Sequence, residues 1–171
     1  VANSAAARFY ADLGVSRIVP ARECTLEDLK RIRSDVDIEL ETFVHGAMCV
    51  SVSGRCFLSQ FTTGRSGNRG DCVQNCRRAY RIIDEDGETD LEVHSDYLLS
   101  AKDLCALPFL DKLVDIGVDA FKIEGRNKGP DYVATTVACY RRVLDAIRDG
   151  SFTVELAKLL VDQLKTVFHR E

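Results

Sequence analysis

Four cysteines lie within one stretch of this chain, and they constrain what it can fold into. Their spacing, Cys-x6-Cys-x15-Cys-x3-Cys, is set by Cys49, Cys56, Cys72 and Cys76. This spacing is wider than the short cysteine pairs of zinc ribbons, whereas iron-sulfur clusters accept several spacings of four thiolates. Free thiols or disulfides are the alternative, but free cysteine is usually buried in a core rather than placed in a loop. The stretch therefore predicts a metal site, with an iron-sulfur cluster favoured over zinc.

The same stretch is rich in arginine. Arginine recurs through it as far as Arg81 against a single acid, Asp71, although the whole chain has a formal net charge of -4. Arginine is preferred over lysine for planar contacts with phosphates and bases, and exposed aromatic rings stack on unpaired bases. The interleaved aromatic residues are Phe57, Phe61 and Tyr80. The predicted RNA contacts are Arg69, Arg77 and Arg78. A solvated face balanced by the acids downstream is the alternative interpretation.

Length and composition indicate one globular domain. At 171 residues and 46% hydrophobic content the chain can bury one sizeable core. We expect a single domain over residues 1–171, with the cysteine loop and a β-hairpin inserted at 46–96. No apolar run is long enough for a membrane span, so no membrane partner is expected. The remaining cysteines are scattered singly, which predicts a reducing, cytoplasmic location. Because the chain begins with Val, we expect a fragment of a longer protein.

Segments of strand and helix character alternate along the chain. Thr25 and Asp28 form a capping pattern for a helix, and Ser100 with Asp103 forms a second one. The predicted strands are 16–23, 36–46 and 118–125, and the predicted helices are 1–13, 25–35, 100–116, 131–148 and 154–170. A hairpin is predicted around the turn residues 85–88. Such alternation indicates a parallel sheet covered by helices, either doubly wound or a (β/α)8 barrel.

Polar residues on alternate strand positions favour the barrel. The central strands of a doubly wound sheet are apolar on both faces, whereas 36–46 and 118–126 each carry polar side chains on every second residue. A barrel accommodates them at the carboxyl ends of its strands, where active sites lie. The predicted catalytic residues are Glu41, His45, Lys122, Glu124 and Arg126. Arg22, Lys122 and Arg126 are predicted to bind an anionic small molecule. A buried ion network is the alternative role for this set. About four parallel strands are expected, half of what a closed barrel needs.

Several motifs of this chain resemble the U-32 peptidase family of collagenase-like proteins. They are FVHG-x-x-Cys, SGRC, NRG-x-C, LLS-x-KDL and KIEGR, and the resemblance covers almost the whole chain. It implies a (β/α)8 TIM-type barrel fold, of which this chain would be the later part.

The resemblance also implies two alternative functions. Some family members are described as collagenase-like proteases without agreed catalytic residues. Others hydroxylate transfer RNA, ribosomal RNA or a quinone precursor without molecular oxygen, and they hold an iron-sulfur cluster on four cysteines. By this resemblance Cys49, Cys56, Cys72 and Cys76 would ligate a cluster of the four-iron type, and prephenate would be an anionic small-molecule partner.

The favoured function is therefore cluster-dependent hydroxylation of tRNA or rRNA. A peptidase with a protein substrate is the second interpretation. A metal-stabilised RNA-binding module without catalysis is the third, with zinc as the alternative metal.

Overall fold

The computed structural model describes residues 1–87, 90–91 and 97–170. The chain divides into two compact units. The first consists of Val1–Met48 with Lys102–Glu171, and the second is Cys49–Ala101. No helix in the described part of the chain is both long enough and apolar enough to cross a membrane.

Regular elements alternate through the first unit and are short in the second. The helices are α1 (Ser4–Asp12), α2 (Leu26–Asp35), α3 (Leu58–Thr63), α4 (Leu110–Ile116), α5 (Pro130–Arg148) and α6 (Val154–Leu164). The strands are β1 (Arg17–Ile18), β2 (Glu39–Ala47), β3 (Ile82–Ile83), β4 (Asp90–Leu91), β5 (Asp103–Cys105) and β6 (Ala120–Glu124). Short 3-10 segments occupy Val52–Gly54, Gly67–Arg69, Asn75–Arg77 and Leu107–Phe109.

Helices α2, α5 and α6 begin where local sequence signals place them. The capping box of α2 is confirmed: the Asp28 N–H donates to Thr25 Oγ1 at 3.1 Å, and the Thr25 N–H donates to Asp28 Oδ2 at 2.9 Å. The Leu156 N–H donates to Thr153 Oγ1 at 3.1 Å at the start of α6. Pro130 occupies the first turn of α5, where its missing N–H leaves no hydrogen bond unmade. Local sequence is thus sufficient to place these helices.

The sheet of the first unit is built around β2. Strands β1 and β6 pair with β2 in parallel, whereas β5 pairs with it antiparallel. Among the described residues this sheet has four strands and is open. The unit is therefore a mixed α/β structure with an open sheet and helices. The expectation of about four parallel strands is wrong for this part of the chain, since the fourth strand, β5, runs the other way.

The predicted helix from Ser100 is the clearest error. Asp103, Leu104 and Cys105 form β5 and pair with Ala47, Gly46 and His45 of β2. Pro108 cannot donate a backbone hydrogen bond but is tolerated in a first helical turn, so the helix starts only after it. Cys105 consequently belongs to a strand and not to the predicted helix. Tertiary strand pairing overrides the local capping pattern here.

Helix α5 is confirmed, and the stripe predicted to be buried is confirmed in part: Tyr140 and Val143 are buried, and Leu144 and Ile147 pack against the core. Val133 and Val137 of the predicted stripe are 42% and 48% exposed. The buried residues of the helix are Tyr132, Thr136, Cys139, Tyr140, Val143 and Ala146. This face has the spacing of an amphipathic helix as well, displaced by one residue toward its two tyrosines. Both tyrosine hydroxyls donate to the sheet backbone, Tyr132 to Glu124 O and Tyr140 to Val44 O.

The second unit contains little regular structure. Strands β3 and β4 pair antiparallel, which confirms the predicted hairpin, although Glu88 of its predicted turn lies outside the described residues. Helix α3 is a single short helix that ends at Gly64. The rest of the unit consists of 3-10 turns and loops. Its shape therefore depends on side-chain hydrogen bonds more than on helices or strands.

Gly46 is the point at which β2 approaches β6 most closely. Its φ is +101°, and a Cβ at this position would stand 2.2 Å from Glu124 O and 3.0 Å from the Tyr132 hydroxyl. Neither the backbone oxygen nor the tyrosine that donates to it can move away without breaking their hydrogen bond. Only glycine satisfies both the backbone conformation and the space.

Replacing Gly46 with Ala is expected to lower the free energy of unfolding by about 3 kcal/mol, because strain and a backbone clash coincide. Urea denaturation followed by circular dichroism measures this. Gly129→Ala is the matched control, since φ there is negative and nothing lies within 4 Å. The control should cost less than about 1 kcal/mol. Equal losses in the two variants would contradict the close approach at Gly46.

Candidate functional site

All four clustered cysteines are free thiols in the structure. A Cβ at Gly67 would lie 3.5 Å from the Cys72 Cβ and 3.9 Å from Cys56 O, so the 67–70 turn lies beside both cysteines. The Cys56 N–H donates to Asn68 Oδ1 at 3.2 Å, which fixes the same turn from the other side. The chain thus folds back between the second and third cysteines and brings them near each other.

The thiols are close enough to influence one another electrostatically. Burial raises the pKa of Cys76 above its usual value, and the neighbouring thiols of Cys49, Cys72 and Cys56 raise it further, while the cation of Arg77 lowers it. Among the described residues, however, no three His, Cys, Asp or Glu side chains already form a group that could hold a metal ion. The four thiols therefore lie in one region without standing in a ligating arrangement.

The sulfur of Cys72 accepts two hydrogen bonds. The Gln74 N–H donates to it at 3.3 Å, and the Ser59 hydroxyl lies 3.7 Å away. Ser59 is buried, and its oxygen also accepts the Val73 N–H at 3.2 Å. A thiolate that accepts such bonds is stabilised, and bonds of this kind tune metal-thiolate centres. Cys72 is thus positioned by the backbone N–H of Gln74 and the side chain of Ser59.

Two residues around Cys76 hold its loop in place. Asn75 is buried, donates to Thr62 Oγ1 of α3, and its carbonyl accepts the Tyr80 hydroxyl at 2.8 Å. Arg77 donates to Ser100 Oγ at 2.8 Å and to Ala101 O at 2.6 Å. Arg77 therefore ties the Cys76 loop to the C-terminal end of the second unit. Its predicted role as an RNA contact competes with this role, which sequence reasoning missed.

The other arginines divide into paired and unpaired groups. The Arg65 Nε lies 3.0 Å from Asp71 Oδ2, and the Arg81 Nε lies 3.0 Å from Asp90 Oδ2. The arginines that are exposed and form no ion pair with a described residue are Arg55, Arg69 and Arg78. Phe57 and Phe61 are 65% and 91% exposed, so they do not pack around the thiols. Tyr80, in contrast, is half-buried.

In the first unit the structure brings together part of the predicted catalytic set. Lys122 Nζ lies 3.0 Å from Glu41 Oε1, and Arg17 reaches the other oxygen of Glu41 at 3.4 Å. A hydrogen bond from Lys122 is the main cause that lowers the pKa of Glu41, so this carboxylate is ionised at neutral pH. Glu41 can therefore position a cation or accept a proton weakly, but it is not set up as an acid.

Glu124 and Arg126 lie at the end of β6. The Arg126 N–H donates to Glu124 Oε1 at 3.2 Å, and the other oxygen of Glu124 is 4.0 Å from Arg22. The guanidinium of Arg22 lies 3.9 Å above the centre of the Phe43 ring, and Lys122 Nζ lies 5.2 Å from the same ring. Arg22, which was predicted to bind an anion, thus lies at this face together with Phe43, which was not predicted. Phe43 lies two residues after Glu41 in β2, and this alternation was the available signal.

His45 does not join that face. The register of β2 with β6 shifts between Phe43 and His45, so that His45 pairs with Ile123, which packs against the core. His45 is buried, its Nδ1 lies 3.3 Å from the Tyr140 hydroxyl, and its ring contacts Tyr132. The sequence analysis assumed that side chains of β2 alternate strictly between two faces, and this alternation is interrupted at the register shift. His45 is therefore separated from the Glu41 and Lys122 pair.

The chain is similar both to a protein named as a collagenase and to proteins named for RNA hydroxylation. The family model described as peptidase family U32 matches residues 1–171. A collagenase of Porphyromonas gingivalis is 37% identical over 99% of this chain and 44% of its own length. The tRNA hydroxylation protein P1 of Bacillus subtilis is 41% identical over 85% of this chain and 36% of its own length. The 23S rRNA 5-hydroxycytidine C2501 synthase of Escherichia coli is 45% identical over 82% of this chain and 21% of its own length.

The fold and the thiol cluster define a mixed α/β protein with a cysteine- and arginine-rich unit. With the family match over its whole length, the chain belongs to peptidase family U32. The predicted resemblance is confirmed. The chain spans less than half the length of these curated relatives. No solved structure matches it.

The burial of His45 predicts a pH dependence of stability. Burial lowers the pKa of His45 from 6.5 to about 4, and the Asp103 carboxylate opposes this in part. The unfolded chain then binds more protons between these two values, so stability is fully present above pH 6.5 and is lost as pH falls toward 4. We expect His45 to account for up to about 3 kcal/mol of that loss.

Proton NMR of the imidazole should give a titration midpoint near pH 4 in the folded protein. In addition, His45→Asn should flatten the dependence of the unfolding free energy on pH between 6.5 and 4. A midpoint near 6.5, or an unchanged slope in the variant, would show that the imidazole is not shielded from water.

Proposed function

We propose that this chain is part of an oxygen-independent hydroxylation enzyme that acts on tRNA or rRNA. The observation that carries the proposal is that four free thiols lie in one arginine-rich unit, where the 67–70 turn lies beside both Cys56 and Cys72. Relatives named for tRNA hydroxylation and for synthesis of 5-hydroxycytidine in 23S rRNA are similar to most of this chain. These names describe the reactions of relatives that are longer than this chain. We assign hydroxylation to this chain because it is similar to them and because it carries the four cysteines.

The donor set fits an iron-sulfur cluster. Four thiolates are the ligands of a four-iron cluster, and the hydrogen bonds to Cys72 are of the kind that such sulfurs receive. Cys49, Cys56, Cys72 and Cys76 would hold the cluster, which would supply electron transfer to the reaction. Ligation requires the thiols to move closer together and to lose their protons. Zinc, with the same four ligands, is the alternative metal.

RNA would bind on the unpaired arginines. Arg55, Arg69 and Arg78 can each contact a phosphate without breaking an existing ion pair among the described residues. Phe57 and Phe61 offer exposed rings on which unpaired bases can stack. Arg77 is better explained as a structural residue, since it binds Ser100 and Ala101.

The strand face of the first unit would bind an anionic substrate. Lys122 and Arg126 supply positive charge, and the ionised Glu41 holds Lys122 in place. Prephenate, which the family resemblance suggests, is one such anion. We also propose that in the longer protein the open sheet belongs to a (β/α)8 barrel, in which this face would line the interior.

A peptidase is the second candidate, because a collagenase is among the relatives. It would be favoured if gelatin cleavage survived Cys49→Ser and Cys72→Ser. A colourless protein that binds RNA but modifies nothing would instead favour the non-catalytic RNA-binding module.

Metal analysis tests the cluster. Protein prepared without oxygen should be brown and contain iron and sulfide, and Cys72→Ser or Cys76→Ser should lose both, because each removes a ligand. Cys24→Ser is the matched control: it removes a half-buried thiol of the other unit and should keep the iron content unchanged. Iron, sulfide and zinc are measured per chain, with visible absorption. Stoichiometric zinc without iron would overturn the redox proposal.

RNA binding tests the arginine surface. The double variant Arg69→Gln, Arg78→Gln should bind tRNA more weakly, and the slope of log affinity against log salt should fall by about 1 for each lost phosphate contact. Arg65→Gln is the matched control, because Arg65 is already paired with Asp71 and should change binding less. Filter binding across a salt series measures both quantities. Unchanged affinity in the double variant would exclude this surface.

A further inference from the structure

A cavity of about 400 Å³ lies in the first unit and takes no part in the proposed cluster chemistry. Its volume is within the range of small-molecule sites, about 300–1,000 Å³. The walls are mainly apolar and include Leu26 and Leu29 of α2, Phe43 of β2, and Phe109. Such a cavity suits the apolar body of a small ligand.

The polar edge of the cavity is basic. Arg22 and Lys112 both line it, and none of the described residues that line it is acidic. Lys112 is exposed and forms no ion pair with a described residue. The charge of the edge therefore favours an anion.

The side chain of Arg22 has the orientation and the free N–H donors to bind that anion. Its side chain is only 24% exposed, yet it makes no hydrogen bond to any described residue, and its contact with Glu124 is 4.0 Å long. Its Nε is buried without a partner. The guanidinium plane rests on the Phe43 ring at 3.9 Å, which fixes its orientation. A stacked guanidinium with free N–H groups is the geometry that binds a carboxylate through two hydrogen bonds.

We infer that this cavity binds a small organic carboxylate, with the carboxylate on Arg22 and an apolar body against Phe43, Leu26 and Phe109. A phosphate group fits less well, since the described lining offers one guanidinium and an exposed lysine rather than a cradle of backbone N–H groups. The inference rests on the proposed function and deepens it, because Arg22 and Phe43 belong to the strand face proposed to bind an anion, but it requires neither the metal nor RNA. If benzoate did not bind, the proposal of an iron-sulfur cluster would therefore still stand.

Ligand-observed NMR on the wild-type chain tests the inference first. Benzoate should bind, whereas benzamide, which has the same shape without the charge, should bind at least about tenfold more weakly because the charged hydrogen bonds are lost. Acetate, which lacks the apolar body, should also bind at least about tenfold more weakly. Equal binding of benzoate and benzamide, binding of inorganic phosphate as tight as that of benzoate, or no binding of benzoate would each overturn the inference.

Variants then locate the site. Arg22→Gln should weaken benzoate binding about tenfold or more, and Arg22→Lys should restore only part of it, because an ammonium cannot bind a carboxylate through two parallel bonds. Arg31→Gln removes the same charge from an exposed position on α2 and should leave binding unchanged. Circular dichroism checks folding. Wild-type affinity in a folded Arg22→Gln would place the ligand elsewhere, and if that variant does not fold, the benzoate and benzamide comparison still decides.

Discussion

The close contact between β2 and β6 at Gly46 is the constraint on which the first unit depends. Glu124 O faces Gly46 and also accepts the Tyr132 hydroxyl, so one carbonyl joins β2, β6 and α5. Since β2 also pairs with β1 and β5, displacement at Gly46 would reach every strand of this sheet. The motifs FVHG and KIEG are therefore two sides of one contact, although they are far apart in sequence.

The register shift between β2 and β6, just before Gly46, divides the polar residues of the sheet into two groups. Before the register shift, Glu41 and Phe43 lie beside Ala120 and Lys122 on one face. After it, His45 lies beside Ile123 and turns to Tyr140 of α5. In the first group a hydrogen bond from Lys122 lowers the pKa of Glu41, whereas in the second burial lowers the pKa of His45. The first group has the charges to hold an anion, whereas the second stabilises the interior.

The sequence predicted what local interactions determine. The capping box of Thr25 and Asp28, the extent of α5 and the hairpin around β3 and β4 follow from residues close together in the chain. Strand β5 did not, because its pairing with β2 spans more than fifty residues of sequence. The sequence also did not predict that His45 and Glu41 lie apart, because an alternating pattern of side chains does not reveal a β-bulge. The cysteine spacing predicted the thiol region, but its support by Ser59 and Asn75 required the structure.

The second unit raises a different physical question, namely what stabilises a segment with so few helices and strands. Ser59, Asn75 and Arg77 each bind the backbone or side chains of distant residues in the unit, and they supply bonds that regular elements would otherwise provide. The thiols of Cys49, Cys72 and Cys56 raise the pKa of Cys76, and the cation of Arg77 opposes this. A bound metal cation would reverse that balance, since it stabilises all four thiolates at once.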